Sequence, residues 1–147
     1  AGLREGDLLI DFGGTPVDLS QVDPSMGGAS GGNALITTVG DLARFIDTLL
    51  AGRLFKRAET LVAMTTMVDA PSESGLPHRY GLGLETYSIG ETTVIGNAGG
   101  AAGYATMMFQ IPAHETTLVT SVNTSDLFAN ALEVFIPAVD VITAPAR

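Results

Sequence analysis

Four segments with strand character follow one another in the second half of the chain, at about Gly81–Tyr87, Thr93–Ile95, Tyr104–Ile111 and Thr116–Val122. Between them lie only Gly90-Glu91, the glycine cluster 96–103 and Pro112-Ala113-His114-Glu115. Connections this short do not allow the crossover of a dozen or more residues that parallel strands need, so each strand turns straight back on the one before it. The expectation is an antiparallel meander, and such a sheet must be covered by something apolar.

The cover is legible on either side of these strands. Thr38 stands at an N-cap position, and Val39, Leu42, Phe45, Ile46, Leu49 and Leu50 recur at helical spacing until Gly52 provides a C-terminal stop. A second helical stretch is expected over about Arg57–Met67, broken by Asp69-Ala70-Pro71-Ser72, with a polar loop reaching to about His78. The tail reads as a helix from Asp126 to about Phe135, with Leu127, Phe128, Ala131, Leu132 and Phe135 on one face and Pro137 bending or ending it. Helices, then strands, then a helix give an α+β fold: an antiparallel sheet meander packed by helices. Residues 1–33 form a Gly-rich N-terminal segment, read as one short strand around Leu8-Leu9-Ile10 followed by an extended loop, and residues 34–147 form the sheet-and-helix region.

Charge and composition narrow the function. With 16 acidic and 7 basic side chains the 147 residues carry −9, so a basic stripe for nucleic acid or an anionic membrane surface is not expected. No apolar run approaches the ~18 residues a membrane-spanning helix needs. Cysteine is absent, which excludes disulfides, thiolate catalysis and cysteine-held metals. His78 and His114, the only imidazoles, lack metal-ligand spacing, and neither a metal nor a cofactor is expected.

Several segments are candidates for chemistry. The cluster Gly96-Asn97-Ala98-Gly99-Gly100-Ala101-Ala102-Gly103-Tyr104 lies between two strands, where backbone without side chains lets another molecule approach a sheet edge and meet aligned N–H donors. It fits neither G-x-G-x-x-G nor a phosphate loop, and a bulge or tight bend is its plainest reading. Gly28-Ala29-Ser30-Gly31-Gly32 matches G-x-S-x-G, but Asp23-Pro24-Ser25-Met26-Gly27 before it is no strand, so a plain loop outweighs a Ser30 nucleophile. His78 and His114 read as solvated loop and turn residues. Glu85 and Glu91 are a possible carboxylate pair, although strand glutamates usually face water. Met64, Met67, Met107 and Met108 read as core filler.

Taken together, several segments resemble the penicillin-recognising serine hydrolases: class C β-lactamases, serine D-Ala-D-Ala carboxypeptidases, D-aminopeptidases and related esterases. Gly31–Phe45 with Leu49-Leu50-Ala51-Gly52-Arg53-Leu54 is similar to a "GG-l-ST--DLarF--aLl-G-l" stretch of that family. Tyr80-Gly81-Leu82-Gly83-Leu84 resembles its "YGLGW" strand, Gly96–Tyr104 its "GHxGxxxGF" segment, and Val119–Ser125 its "vvvLtNts" strand end. The resemblance covers about residues 17–136 and implies the C-terminal portion of a serine β-lactamase-like fold. Residues 1–17 separately look like a short segment of PDZ domains.

The resemblance implies a site. The family's third motif, His/Lys-x-Gly on a sheet-edge strand, falls on Asn97-Ala98-Gly99, and the backbone N–H of Gly100 would serve the oxyanion hole. Ala98 stands where a hydroxyl residue often contacts substrate. Glu85 stands where some carboxypeptidases carry an arginine for the substrate carboxylate, which disfavours D-Ala-D-Ala cleavage. The family's S-x-x-K and Y-x-N motifs do not occur: Lys56 is preceded three places back by Arg53, and Tyr80, Tyr87 and Tyr104 are followed two places on by Leu82, Ile89 and Thr106. The chain, which begins at Ala, is therefore expected to be part of a larger enzyme that transfers acyl groups from small amide or ester substrates. On that expectation these residues alone are inactive, and family members act mostly in the periplasm or outside the cell. The alternative is a non-catalytic peptide-binding or interaction module that uses an exposed sheet edge and forms homodimers.

Overall fold

The structure is a computed structural model that describes residues 9–11, 16–18, 37–72, 74–101, 104–123 and 131–145. Leu9–Asp11 (β1) and Pro16–Asp18 (β2) pair antiparallel, Ile10 opposite Val17. The single short strand expected near the N-terminus is thus a pair; Pro16 hides the second strand, because proline is tolerated at a strand's first residue yet weakens the sequence signal. The G-x-S-x-G stretch at 28–32 lies outside the described residues, as does the start of the expected tail helix at Asp126.

Helix α1 runs Val39–Leu50. Thr38 caps it as expected: its Oγ1 accepts from the backbone N–H of Asp41 at 3.2 Å and donates to Asp41 Oδ2 at 2.9 Å. At the far end Gly52 takes φ +72, the left-handed conformation that closes a helix most easily on glycine. Helix α2 spans Ala58–Thr65, shorter than the expected stretch, because β3 (Val68–Asp69) takes up the next residues.

The main sheet has six strands in the order β3-β4-β5-β6-β7-β8, each antiparallel to its neighbour: Val68–Asp69, His78–Tyr80 (β4), Glu85–Ile89 (β5), Thr92–Ala101 (β6), Tyr104–Ile111 (β7) and Thr116–Val122 (β8). The meander is as read, with two corrections. Gly81–Tyr87 is not one strand; the chain reverses there, with Tyr80 opposite Glu85 and the Gly81 N–H donating to the Leu84 carbonyl at 2.7 Å. Gly83, at φ +76, supplies the backbone the turn needs. The glycine cluster is not a connection either: through Ala101 it is the second half of β6, paired residue for residue with β7.

Both faces of the sheet are covered. On one, Tyr87, Ile89, Val94, Ala105, Met107, Phe109 and Ile111 pack against Ala131, Phe135 and Val139 of the C-terminal segment. Helix α3 (Leu132–Thr143) carries Phe135 and Val139 four residues apart on one face, and it continues through Pro137 rather than ending there. Pro137 is the sixth residue of the helix, beyond the first turn whose N–H groups are free, so the helix gives up one internal hydrogen bond, to the Glu133 carbonyl, to pass through it. On the other face Ile46 and Leu49 of α1 pack with Leu84, joined by Met64, Met67 and Met108, which bears out three of the four methionines as filler there and Met107 opposite. Asp47 ties this helix down by accepting from Thr117 Oγ1. At the β7–β8 turn, His114 is exposed in a short 3₁₀ turn, Pro112–His114, as expected of a turn histidine.

Candidate active site

Register decides where the site opens. Strand β5 begins at Glu85, opposite Gly96, so beyond Gly96 the β5-side edge of β6 has no strand partner among the described residues. Asn97, Ala98, Gly99 and Gly100 are therefore held by β7 on one side only, opposite Met108, Met107, Thr106 and Ala105. Gly96 must lie close to β7: a Cβ added there would meet the Met108 carbonyl oxygen at 1.9 Å and the Phe109 Cα at 2.7 Å. Gly99 differs, since a Cβ added there meets nothing within 4 Å.

The open edge presents donors. Alternate residues of a strand aim their N–H groups to the same side. The Ala98 N–H points toward β5, where it donates to Glu85 Oε1 at 2.5 Å. By that alternation the N–H of Gly100 faces the same edge, and Gly100 is exposed. Asn97 is paired with Met108, which packs on the α1 side, and its Nδ2 lies 3.4 Å from both the Tyr80 hydroxyl and the Gly83 carbonyl oxygen. The four motif residues thus stand on one edge, with the Tyr80–Gly83 turn alongside.

Glu85, expected from the resemblance at a substrate carboxylate, is 4% exposed and has both oxygens on protein groups. Besides the Ala98 N–H on Oε1, its Oε2 faces His78 Nε2 at 2.9 Å and accepts from the Tyr87 hydroxyl at 3.4 Å. Glu91 is exposed in the β5–β6 turn, at the other end of β5, so the two carboxylates are not a pair.

His78 departs from its expected place in a solvated loop. It sits in β4, its side chain 10% exposed, stacked on Tyr87 with ring centroids 4.6 Å apart and 9° between planes. Its Nδ1 lies 2.8 Å from the Pro71 carbonyl oxygen. That oxygen only accepts, so Nδ1 carries a hydrogen. Nε2 faces Glu85 Oε2, which sets the imidazole beside the carboxyl group. A sequence signal for it existed: His78 and Tyr80 before the Gly-Leu-Gly-Leu turn mirror Glu85 and Tyr87 after it, and the association emerges once residues 81–84 are read as a turn.

A family model for beta-lactamase matches residues 10–136. The chain belongs to the beta-lactamase family. The match takes in α1, α2, the whole six-stranded sheet and the open edge of β6. None of the curated proteins compared with the chain matches it. Among solved structures, a D-stereospecific amidohydrolase from Streptomyces sp. superposes with a TM-score of 0.64 at 25% identity, over 90% of this chain and 37% of that one. A D-amino acid amidase from Ochrobactrum anthropi SV3, solved with D-phenylalanine, superposes with a TM-score of 0.64 at 20% identity, over 74% of this chain and 37% of that one. The chain thus spans little more than a third of the length of these structures.

Proposed function

We propose that these residues supply the oxyanion-binding strand of a serine hydrolase that transfers acyl groups from small amide or ester substrates. The observation that carries this reading is the Gly100 N–H, facing the open edge of β6 directly after Asn97-Ala98-Gly99. When a nucleophile attacks a carbonyl, negative charge develops on the carbonyl oxygen, and a rigid N–H about 3 Å away stabilises it without reorganising. A strand hydrogen-bonded to β7 along its other edge is such a rigid support.

Asn97 occupies the place of the family's cationic residue with a neutral amide, whose Nδ2 donates to Tyr80 and Gly83 and whose Oδ1 remains as an acceptor. It hydrogen-bonds a substrate without anchoring a carboxylate, which suits amides and esters better than peptides with a free C-terminus. The amidohydrolase neighbour from Streptomyces supports amides, and D-amino acid amides are the first substrates to assay. Gly99 leaves room for the substrate backbone, and Ala98 lies beside it with no hydroxyl to offer.

The nucleophile and its base come from outside these residues, because neither S-x-x-K nor Y-x-N occurs in them. The test is covalent labelling. The full protein carrying this chain should gain one acyl group, seen as a mass increase, from penicillin or an activated ester, and the 147 residues alone should gain none. A stoichiometric adduct on the isolated chain would refute the division of labour; no hydrolysis of any amide or ester by the full protein would refute the function. Gly100→Pro removes the N–H from an edge position where proline is tolerated, and kcat should fall by about 10²-fold with the fold retained. Unchanged kcat would exclude Gly100 as the donor.

A second reading draws on the other side of the sheet: β8 has no partner on its outer edge among the described residues. A peptide-binding module would add a strand there. Affinity of the isolated chain for extended peptides would favour it over hydrolysis.

A further inference from the structure

We infer that Glu85 is a positioning residue whose carboxylate stands in for the missing strand partner of Ala98 and so aims the Gly100 N–H; the inference rests on the acyl-transfer reading. At Gly96 the β5 backbone still accompanies β6. One step further along that edge, at Ala98, β5 has turned away toward Gly83, and an N–H at this point would otherwise be free to tilt. Glu85 Oε1 receives it at 2.5 Å. Ala98 and Gly100 share an edge two residues apart, about 6.8 Å along an antiparallel strand. Holding the Ala98 peptide therefore fixes the roll of the strand through Gly99, which has no side chain of its own to anchor it.

The carboxylate suits this task because it is itself held. His78 Nε2 and the Tyr87 hydroxyl bind Oε2, and His78 is in turn fixed by the Pro71 carbonyl and by stacking on Tyr87. The series runs from the β3–β4 connection at Pro71, through β4 and β5, to the backbone of the motif strand. His78 Nε2, the Tyr87 hydroxyl and the Ala98 N–H together surround the carboxyl group, so no bare carboxylate oxygen faces the position where an oxyanion would form. An unpaired carboxylate there would oppose the reaction that Gly100 is there to assist.

This assignment predicts an ordering among variants that a merely structural glutamate would not produce. In Glu85→Gln the amide oxygen accepts from Ala98, while the amide NH₂ donates one hydrogen to Nε2 of a neutral His78 and the other to the Tyr87 oxygen, whose hydroxyl bond reverses direction, so the series survives without charge. In Glu85→Ala it is lost.

The experiment uses the full protein carrying this chain, with amide hydrogen exchange at Ala98 alongside kcat and KM for a D-amino acid amide. Glu85→Ala should speed exchange at the Ala98 amide by at least about tenfold and lower kcat by about 10–100-fold, the scale of a small misplacement of a catalytic donor. KM should stay within about threefold of wild type, because the donor acts mainly in the transition state. Glu85→Gln should restore protection and most of kcat.

Unaltered exchange or kcat in Glu85→Ala overturns the inference, as does a Glu85→Gln as impaired as Glu85→Ala. Should Glu85→Ala not fold, the Ala98 amide proton resonance decides: it should lie downfield in wild type and move upfield in Glu85→Gln, and no movement overturns the assignment. Should the protein hydrolyse nothing, the exchange data still report whether Glu85 holds the strand, separating failure of this inference from failure of the hydrolase reading.

Discussion

Glu85 shows what one residue can reveal and conceal. In sequence it is a glutamate in a strand, and such residues usually face water. In the fold it shares a face with Tyr87 and Ile89, both buried, because side chains two apart on a strand point the same way. The alternation was legible; its polarity was not, since the partner that makes burial tolerable, His78, belongs to a strand hidden in an apparent loop. Breaking a buried pair by removing one member costs more than the pair itself contributes, because the remaining group stays desolvated. With side chains 10% and 6% exposed, His78→Ala should therefore destabilise the fold by about 3 kcal/mol, checked as a lower urea midpoint at unchanged m-value. Adding Glu85→Gln to His78→Ala should recover part of the loss by removing the stranded charge. Equal stability of His78→Ala and wild type would mean that the pair contributes nothing to folding.

At the scale of elements, β6 divides into a half governed by packing and a half governed by access. Gly96 and Gly99 look alike in sequence, and only register separates them. Gly96→Ala drives a methyl group into β7 backbone, at 1.9 Å from the Met108 carbonyl oxygen, where no side-chain rotation relieves the contact. Separation of the two strands follows, with a loss above about 2 kcal/mol, the scale of overpacking a tight site, visible as a fall in the thermal midpoint. Gly99→Ala meets open space and should leave the midpoint within about 2 °C of wild type, a surface-level change. In the proposed enzyme it should nevertheless raise KM, because the methyl group would occupy the edge that substrate approaches. A fall in thermal midpoint without an effect on KM would place Gly99 in the core and not at the site. Helix α1 was legible from its cap, its stop and the Ile46–Leu49 part of its stripe, although Val39 and Phe45, read on the same stripe, are exposed. The glycine cluster was not: a β propensity scale rates glycine as a breaker, yet here backbone pairing with β7 and proximity to Met108 decide.

At the scale of the whole molecule the two ends of the sheet are unlike. One ends in β3, two exposed residues long and bearing Asp69, which Arg79 Nε meets at 3.1 Å. A short, charged edge of this kind resists further pairing. The other ends in β8, seven residues, Thr116-Thr117-Leu118-Val119-Thr120-Ser121-Val122, without a charge. A long uncharged edge invites another strand. The antiparallel order and its covering helices could be deduced from turn lengths and helical spacing, which are local; what lies against β8 could not, because strand addition leaves no mark on the strand that awaits it. The isolated 147 residues should therefore self-associate through β8, with weight-average mass in sedimentation equilibrium rising toward the dimer as concentration increases. Ser121→Lys places a charge at an exposed position of that strand, the means by which natural edges avoid pairing, and should return the chain to a monomer with its circular dichroism unchanged. In the proposed larger enzyme the same substitution should instead lower stability, since a strand from elsewhere in that molecule would already occupy the edge. An isolated chain that stays monomeric at high concentration, or a full protein indifferent to Ser121→Lys, would show that β8 is a finished edge.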